Sequence, residues 1–166
     1  MNVNFLFPAL LLIAVILLIK VIDAMGKGEK EYDERQALVR GKAARYGYMT
    51  TLILLMPVIV LFYNGQREAG LFVSLAFFGG LGVYAVYNIW NGGFFRRNQN
   101  ITHYMVLCFV VAGINLLTTF LRIREGQSLW EITTERGGSN FFLGILFAVI
   151  GVVIPLRISA DRKEEE

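Results

Sequence analysis

The chain reads as an all-α, polytopic transmembrane helical bundle with five membrane helices. Three features carry that reading: five long apolar stretches fill most of the chain, almost no charge interrupts them, and the polar segments between them are short. The stretches cover residues 5–24, 48–63, 69–90, 103–121 and 140–158. A helix that crosses the hydrocarbon core takes about 20 mostly apolar residues. Of the 166 residues, 55% are hydrophobic and 17% charged, and the mean hydropathy is +0.54. A soluble domain of that composition would have too little polar surface to cover its core. Five crossings leave short loops, one longer polar connection and a charged tail, so a single integral membrane domain over 1–166 is expected, with no room for a separate soluble catalytic domain.

The first stretch, 5–24, reads as an uncleaved anchor. A signal peptide opens with positive charge, has a short apolar core and ends at a small-residue cleavage site. Residues 1–4 carry no basic side chain, and Val21-Ile22-Asp23-Ala24 is a poor cleavage match. The second stretch, 48–63, is the shortest and contains Pro57. A four-helix arrangement, with one weak segment lying on the surface, therefore competes with the five-helix one. Proline is nonetheless tolerated in membrane helices, where it kinks them.

Basic residues set the expected orientation, because cytoplasmic loops are enriched in Lys and Arg. With the N-terminus outside and the C-terminus inside, the cytoplasm receives Lys20, Lys27, Lys30, Arg35, Arg40, Lys42, Arg45, Arg96, Arg97, Arg157, Arg162 and Lys163. The outside then holds Arg67, Arg122, Arg124 and Arg136. Tyr48, Tyr63, Tyr87, Trp90, Tyr104 and Trp130 fall near helix ends, the headgroup level at which amphipathic rings concentrate.

The most distinctive polar stretch is 26–47. Its acidic residues Glu29, Glu31, Asp33 and Glu34 come first; the basic Arg35, Arg40, Lys42 and Arg45 follow. That order suits a helix dipole, and Glu31 and Arg35 are spaced i,i+4 with the acid first. A cytoplasmic juxtamembrane helix over 29–46 is expected to run into the second membrane helix, with Gly41 as its weak point. Tyr32, Gln36, Val39, Ala43 and Tyr46 share one face of it. Three roles are open for this helix. Glu31, Arg35, Arg40, Lys42 and Arg45 form a lipid- or partner-binding set, in which Lys42 and Arg45 hold anionic headgroups at about 1 kcal/mol each. Alternatively, the Tyr32/Val39/Ala43 face docks a partner protein. In the third case the helix is simply solvated and its charges fix topology.

The run Tyr32-Asp33-Glu34-Arg35-Gln36, followed by Arg40-Gly41-Lys42-Ala43 and a hydrophobic helix, resembles a stretch in small bacterial membrane proteins grouped as domains of unknown function. The resemblance covers roughly a dozen residues. It implies a protein of the bacterial cytoplasmic membrane and no activity. The Glu31-x-x-x-Arg35 spacing is also similar to part of the motif of membrane-embedded CAAX-type proteases. That family adds His and Asn ligands on membrane helices, whereas here the pair lies in a polar connection and the sole His103 sits at another helix end.

Within the membrane, helices two to five contain no deep Asp, Glu, Lys or Arg, which argues against a proton-coupled pump or a single-chain ion channel. Asn115, with Thr118 and Thr119 a turn later, is expected to join helices by a hydrogen bond or to line a small cavity. His103, beside Tyr104, is either a headgroup-level side chain or a pH sensor. Ala76 and Gly80, and Gly144 and Ala148, have small-x-x-x-small spacing and mark helix packing, between helices three and five or in a homo-oligomer.

One Cys, Cys108, and one His exclude an internal disulfide and a thiolate–imidazole metal cluster within a single chain. No metal, no cofactor and no nucleic-acid partner is expected. Outside, 122–139 is the longest loop. Ser128-Leu-Trp-Glu131 has capping-box spacing, with Leu129, Trp130 and Ile132 apolar, so a short surface helix is expected, stopped by Gly137 and Gly138. The tail over 160–166 is expected to be flexible. Functionally, the sequence favours a non-enzymatic accessory or regulatory membrane protein that binds a partner protein or anionic lipid. The alternative is a transport or permeation component, such as an oligomeric pore or a resistance-type membrane protein.

Overall fold

A computed structural model of the chain describes residues 33–66, 68–95, 101–134 and 138–164. Apart from Asp33 these belong to one compact unit, Glu34–Glu166. The expected membrane helix 5–24 and the start of the juxtamembrane helix, including Glu31, lie outside the described residues. Five helices are present among the described residues, with no strand: α1 (Glu34–Tyr63), α2 (Ala69–Trp90), α3 (Ile101–Arg124), α4 (Leu129–Thr134) and α5 (Gly138–Glu164). All but the short α4 are long and apolar enough to cross a membrane.

The juxtamembrane helix and the second membrane stretch form one continuous helix. α1 is 30 residues long, about 45 Å at 1.5 Å per residue, and so exceeds the hydrocarbon thickness of about 30 Å. Its last charged residue is Arg45, and the apolar remainder, 46–63, spans about 27 Å. The short apolar run 48–63 is the second half of a longer helix that is long and apolar enough to cross a membrane. Gly41 does not break it: the position is exposed and a Cβ there would touch nothing. Pro57 lies inside the helix and leaves the Ile53 carbonyl without its i+4 donor.

Element order in space follows from the contacts. α1 packs on α2, α2 also packs on α5, and α5 packs on α3. Tight turns make the neighbours antiparallel. The chain turns after α1 through Gly65 at φ 65° and leaves α2 through Gly92 at φ 73°, backbone conformations that glycine adopts at little cost. One end of the unit gathers the starts of α1 and α3 and the ends of α2 and α5. The opposite end carries α4, whose Thr134 carbonyl lies 3.4 Å from where a Cβ on Gly70 would sit.

Small residues let the helices approach. A Cβ on Gly47 would come within 2.7 Å of the Gly80 carbonyl oxygen, and one on Gly80 would collide with the Thr51 hydroxyl. Gly80 thus meets α1 rather than the fifth predicted membrane helix. A Cβ on Gly144 would come within 2.8 Å of the Leu116 side chain, and one on Gly151 within 3.1 Å of the Phe109 ring, both on α3. Ala148 is only half-buried. Phe142, Leu146, Ile150 and Ile154 form a buried i,i+4 stripe along α5. With Ala85, Ile89 and Cys108, the last three build the main core.

The outer surface is apolar as well. Ile53, Met56 and Phe62 on α1 are 68%, 70% and 75% exposed, and Ile114, Leu117 and Phe120 on α3 are similarly open. Contiguous apolar surface of this extent belongs against lipid or another protein rather than water. The apolar length of all four long helices matches the former.

Two further boundaries differ from expectation. α5 continues to Glu164 rather than ending near 158, and Arg157 and Asp161 form an i,i+4 ion pair in its final turns. Gly138 opens α5 instead of stopping a helix. A side chain there would run into the Ile132 and Thr133 carbonyls at 2.8 and 2.7 Å, so glycine lets α5 start directly against α4.

Candidate functional site

The first half of α1 has two faces with different fates. Gln36, Val39, Ala43 and Gly47 recur at helical spacing and turn inward. Gln36 donates from Nε2 to the carbonyls of Gly92 and Phe95, each at 3.2 Å. Val39 packs where a Cβ on Gly93 would sit, its Cγ1 at 2.7 Å from that point. Ala43 is fully buried. Tyr46 meets Tyr87 edge-on with ring centroids 4.9 Å apart. The face offered for partner docking through Val39 and Ala43 is therefore occupied by the chain's own α2–α3 connection. Tyr32 lies outside the described residues.

The other face carries the charge. Arg35, Lys42 and Arg45 are exposed, whereas Arg40 is half-buried at the edge of the packed face. Asp33 and Glu34, both exposed, precede Arg35, but no carboxylate occurs in the sequence from Arg35 to Arg67. At the same end, Arg157 is neutralised locally by Asp161.

Beside this rim lies an apolar groove of about 790 Å³ between α1, α2 and α5. Its floor is Gly79 and Gly82 on α2, and Leu54, Leu146 and Val149 rise on either side. The missing side chains make the depression: a Cβ on Gly79 would already touch Leu54 at 3.0 Å. The groove ends at Tyr87, Trp90 and Asn91. Tyr46 covers Tyr87, and Lys42 precedes Tyr46 by one helical turn on the same side of α1.

Other sequence-selected residues stay apart from this region. Asn115 donates from Nδ2 to the Val111 carbonyl at 2.8 Å, a bond within its own helix rather than between helices. Thr118 and Thr119 likewise bond back to Ile114 and Asn115. His103 is exposed in the first turn of α3. At the far end the capping box is formed as its spacing predicts. The Glu131 amide donates to Ser128 Oγ at 3.2 Å, and the Ser128 amide donates to Glu131 Oε2 at 2.8 Å. Hydrogen bonds from the Ser128 amide and hydroxyl hold the Glu131 carboxyl below the usual carboxylate range. Leu129 and Trp130 on α4 remain exposed.

Sequence reasoning missed the groove, the Gly47–Gly80 crossing and Asn88. Asn88 is buried with its Oδ1 unpartnered beside Gly93. Ala43-x-x-x-Gly47 has the same small-residue spacing as Ala76-x-x-x-Gly80, and that repeat was the available signal for the crossing.

Comparison with protein-family models, with curated proteins and with solved structures gives no match. The class defined by the fold is a helical protein with four candidate membrane-crossing helices, and an apolar exterior, among the described residues. Its function must be argued from the cationic rim and the groove beside it.

Proposed function

We propose that this chain is a multi-pass protein of the bacterial cytoplasmic membrane, non-enzymatic and of accessory or regulatory type, which engages anionic lipid through the cytoplasmic end of α1. The observation that carries the reading is the division of α1. Its inward face is committed to packing, while Arg35, Lys42 and Arg45 are exposed and the helix carries no carboxylate after Glu34. Each cation at a membrane surface contributes about 1 kcal/mol toward anionic headgroups. The orientation that puts this end in the cytoplasm, with the C-terminus inside and the N-terminus outside, follows the positive-inside bias. The resemblance of the Tyr32–Ala43 run supports the bacterial assignment.

A partner protein at the first half of α1 would meet the same charged face, since the Gln36, Val39 and Ala43 face is already packed. The permeation alternative draws less support: the groove is apolar, and Asn115 bonds to its own helix. The test is lipid selectivity after reconstitution, read with spin-labelled phosphatidylglycerol and phosphatidylcholine. The protein should immobilise phosphatidylglycerol in preference. The combined Arg35→Gln, Lys42→Gln and Arg45→Gln variant should lose that preference. Equal immobilisation of both lipids by the unaltered chain would contradict the proposal.

A further inference from the structure

The groove and the rim adjoin, and their dimensions select an occupant. The volume of about 790 Å³ is spread along the stretch of α2 from Leu75 to Asn91, roughly 24 Å at the helical rise. A slot of that length, floored by glycines, matches an extended hydrocarbon chain. The lining is almost wholly apolar, and the slot lies alongside the apolar 46–63 portion of α1, at hydrocarbon depth. Its only polar neighbours are at the mouth, where Tyr87, Trp90 and Asn91 end the slot.

The mouth is also where charge begins. Tyr46 packs on Tyr87, and Lys42, exposed, stands one turn beyond Tyr46. Arg35 follows on the same side of α1, two turns further out. No carboxylate lies within two helical turns of Lys42 along α1, so an anionic group beside it meets a cation and aromatic edges from this helix. Lipid tails are as apolar as the slot, so the slot alone gives no driving force for one lipid over another. It fixes position, and the cation supplies the selectivity.

We propose that the α1/α2/α5 groove holds one acyl chain of an anionic phospholipid whose phosphate is met by Lys42 at the Tyr46–Tyr87 mouth. This rests on the proposed lipid-binding role of the α1 rim and deepens it, from a diffuse cationic surface to a single bound molecule. Gly79 and Gly82 are then a binding floor as well as packing positions.

The probe is native mass spectrometry of the full chain released from nanodiscs containing phosphatidylglycerol and phosphatidylcholine. The unaltered protein should retain one phosphatidylglycerol. Lys42→Gln should lower that occupancy on the order of fivefold, the factor expected for one headgroup cation, without changing retained phosphatidylcholine. Val149→Trp, at a partly exposed wall of the groove, and Gly82→Leu, on its floor, should each abolish retention of either lipid as a one-to-one adduct. Two substitutions at different walls separate a filled slot from a misfolded chain, and helical content and Tm in detergent identify the folded variants. If Lys42→Gln lowers phosphatidylglycerol occupancy while folded Val149→Trp and Gly82→Leu chains keep it, the groove is not the site and only the rim reading survives. If Lys42→Gln and Arg45→Gln both leave occupancy unchanged, the rim reading falls as well. A dimer that Val149→Trp dissociates would replace the lipid by a second copy and overturn the proposal.

Discussion

At the scale of single residues, the glycines are not equivalent, and substitution separates them. Gly47 and Gly80 stand where the α1 and α2 backbones nearly touch, and a Cβ at either position has no room. Gly47→Val should therefore destabilise the unit by about 1–3 kcal/mol, the usual cost of overpacking, seen as a lower Tm in detergent. Gly113 lies on an exposed part of α3 with nothing within reach of a Cβ. Gly113→Ala should leave Tm unchanged or raise it, by up to about 1 kcal/mol, because alanine is the better helix former. Equal effects at the two positions would mean that α1 and α2 do not cross where described. Glu131 gives a pH prediction. Its folded-state pKa is lowered by the capping box, so the stabilisation is present above the ordinary glutamate value and is lost as pH falls through the lower folded value. Acidification across that window should loosen α4, and Glu131→Gln should remove the pH dependence. In a Trp90→Phe background, Trp130 fluorescence reports the change. An acid transition persisting in Glu131→Gln would assign it to another group.

At the scale of elements, α1 shows most clearly what could be read in the sequence and what could not. The charge order of 29–46 and the shared face of Gln36, Val39, Ala43 and Tyr46 were legible, because helical periodicity is local. The destination of that face was not. Gln36 reaches carbonyls of residues 92 and 95, and no local pattern announces a hydrogen bond across the fold. For the same reason the face looked free for a partner. Asn115 is a different case. A mid-membrane amide suggested a bond between helices, yet its own preceding turn offers the Val111 carbonyl at 2.8 Å, an acceptor always within reach in a helix. The clamp made by Gln36 can be measured. Gln36→Leu should cost about 1 kcal/mol and should raise amide hydrogen exchange in the first turns of α1 by roughly fivefold. Protection in α2 should be kept. Unchanged exchange would show that the contact with the 92–95 segment does not hold the extension of α1. The capping box of α4 was fully legible, because both partners lie within one turn.

At the scale of the whole molecule, composition and the spacing of the apolar stretches predicted an all-helical membrane protein, and four of the five expected stretches correspond to long helices among the described residues. The remaining stretch, 5–24, lies outside them. The spatial order, with α2 between α1 and α5 and α3 beyond α5, was not legible, since apolar helices of similar composition carry little information about which neighbour each prefers. The groove is a consequence of that order and could not be anticipated without it. By the positive-inside bias, the basic residues at the two ends predict an orientation. Arg35, Lys42, Arg45, Arg157 and Arg162 gather at one end, and Arg122 and Arg124 with α4 at the other. The most direct test of the account replaces Cys108 by Ala and introduces single cysteines at the exposed positions Ala37, Gln66, Glu125 and Ser159. A membrane-impermeant maleimide added to intact cells should label the chains carrying cysteine at 66 and 125, and label those at 37 and 159 only after the membrane is opened. Labelling of all four from outside, or of 37 and 159 in place of 66 and 125, would contradict it.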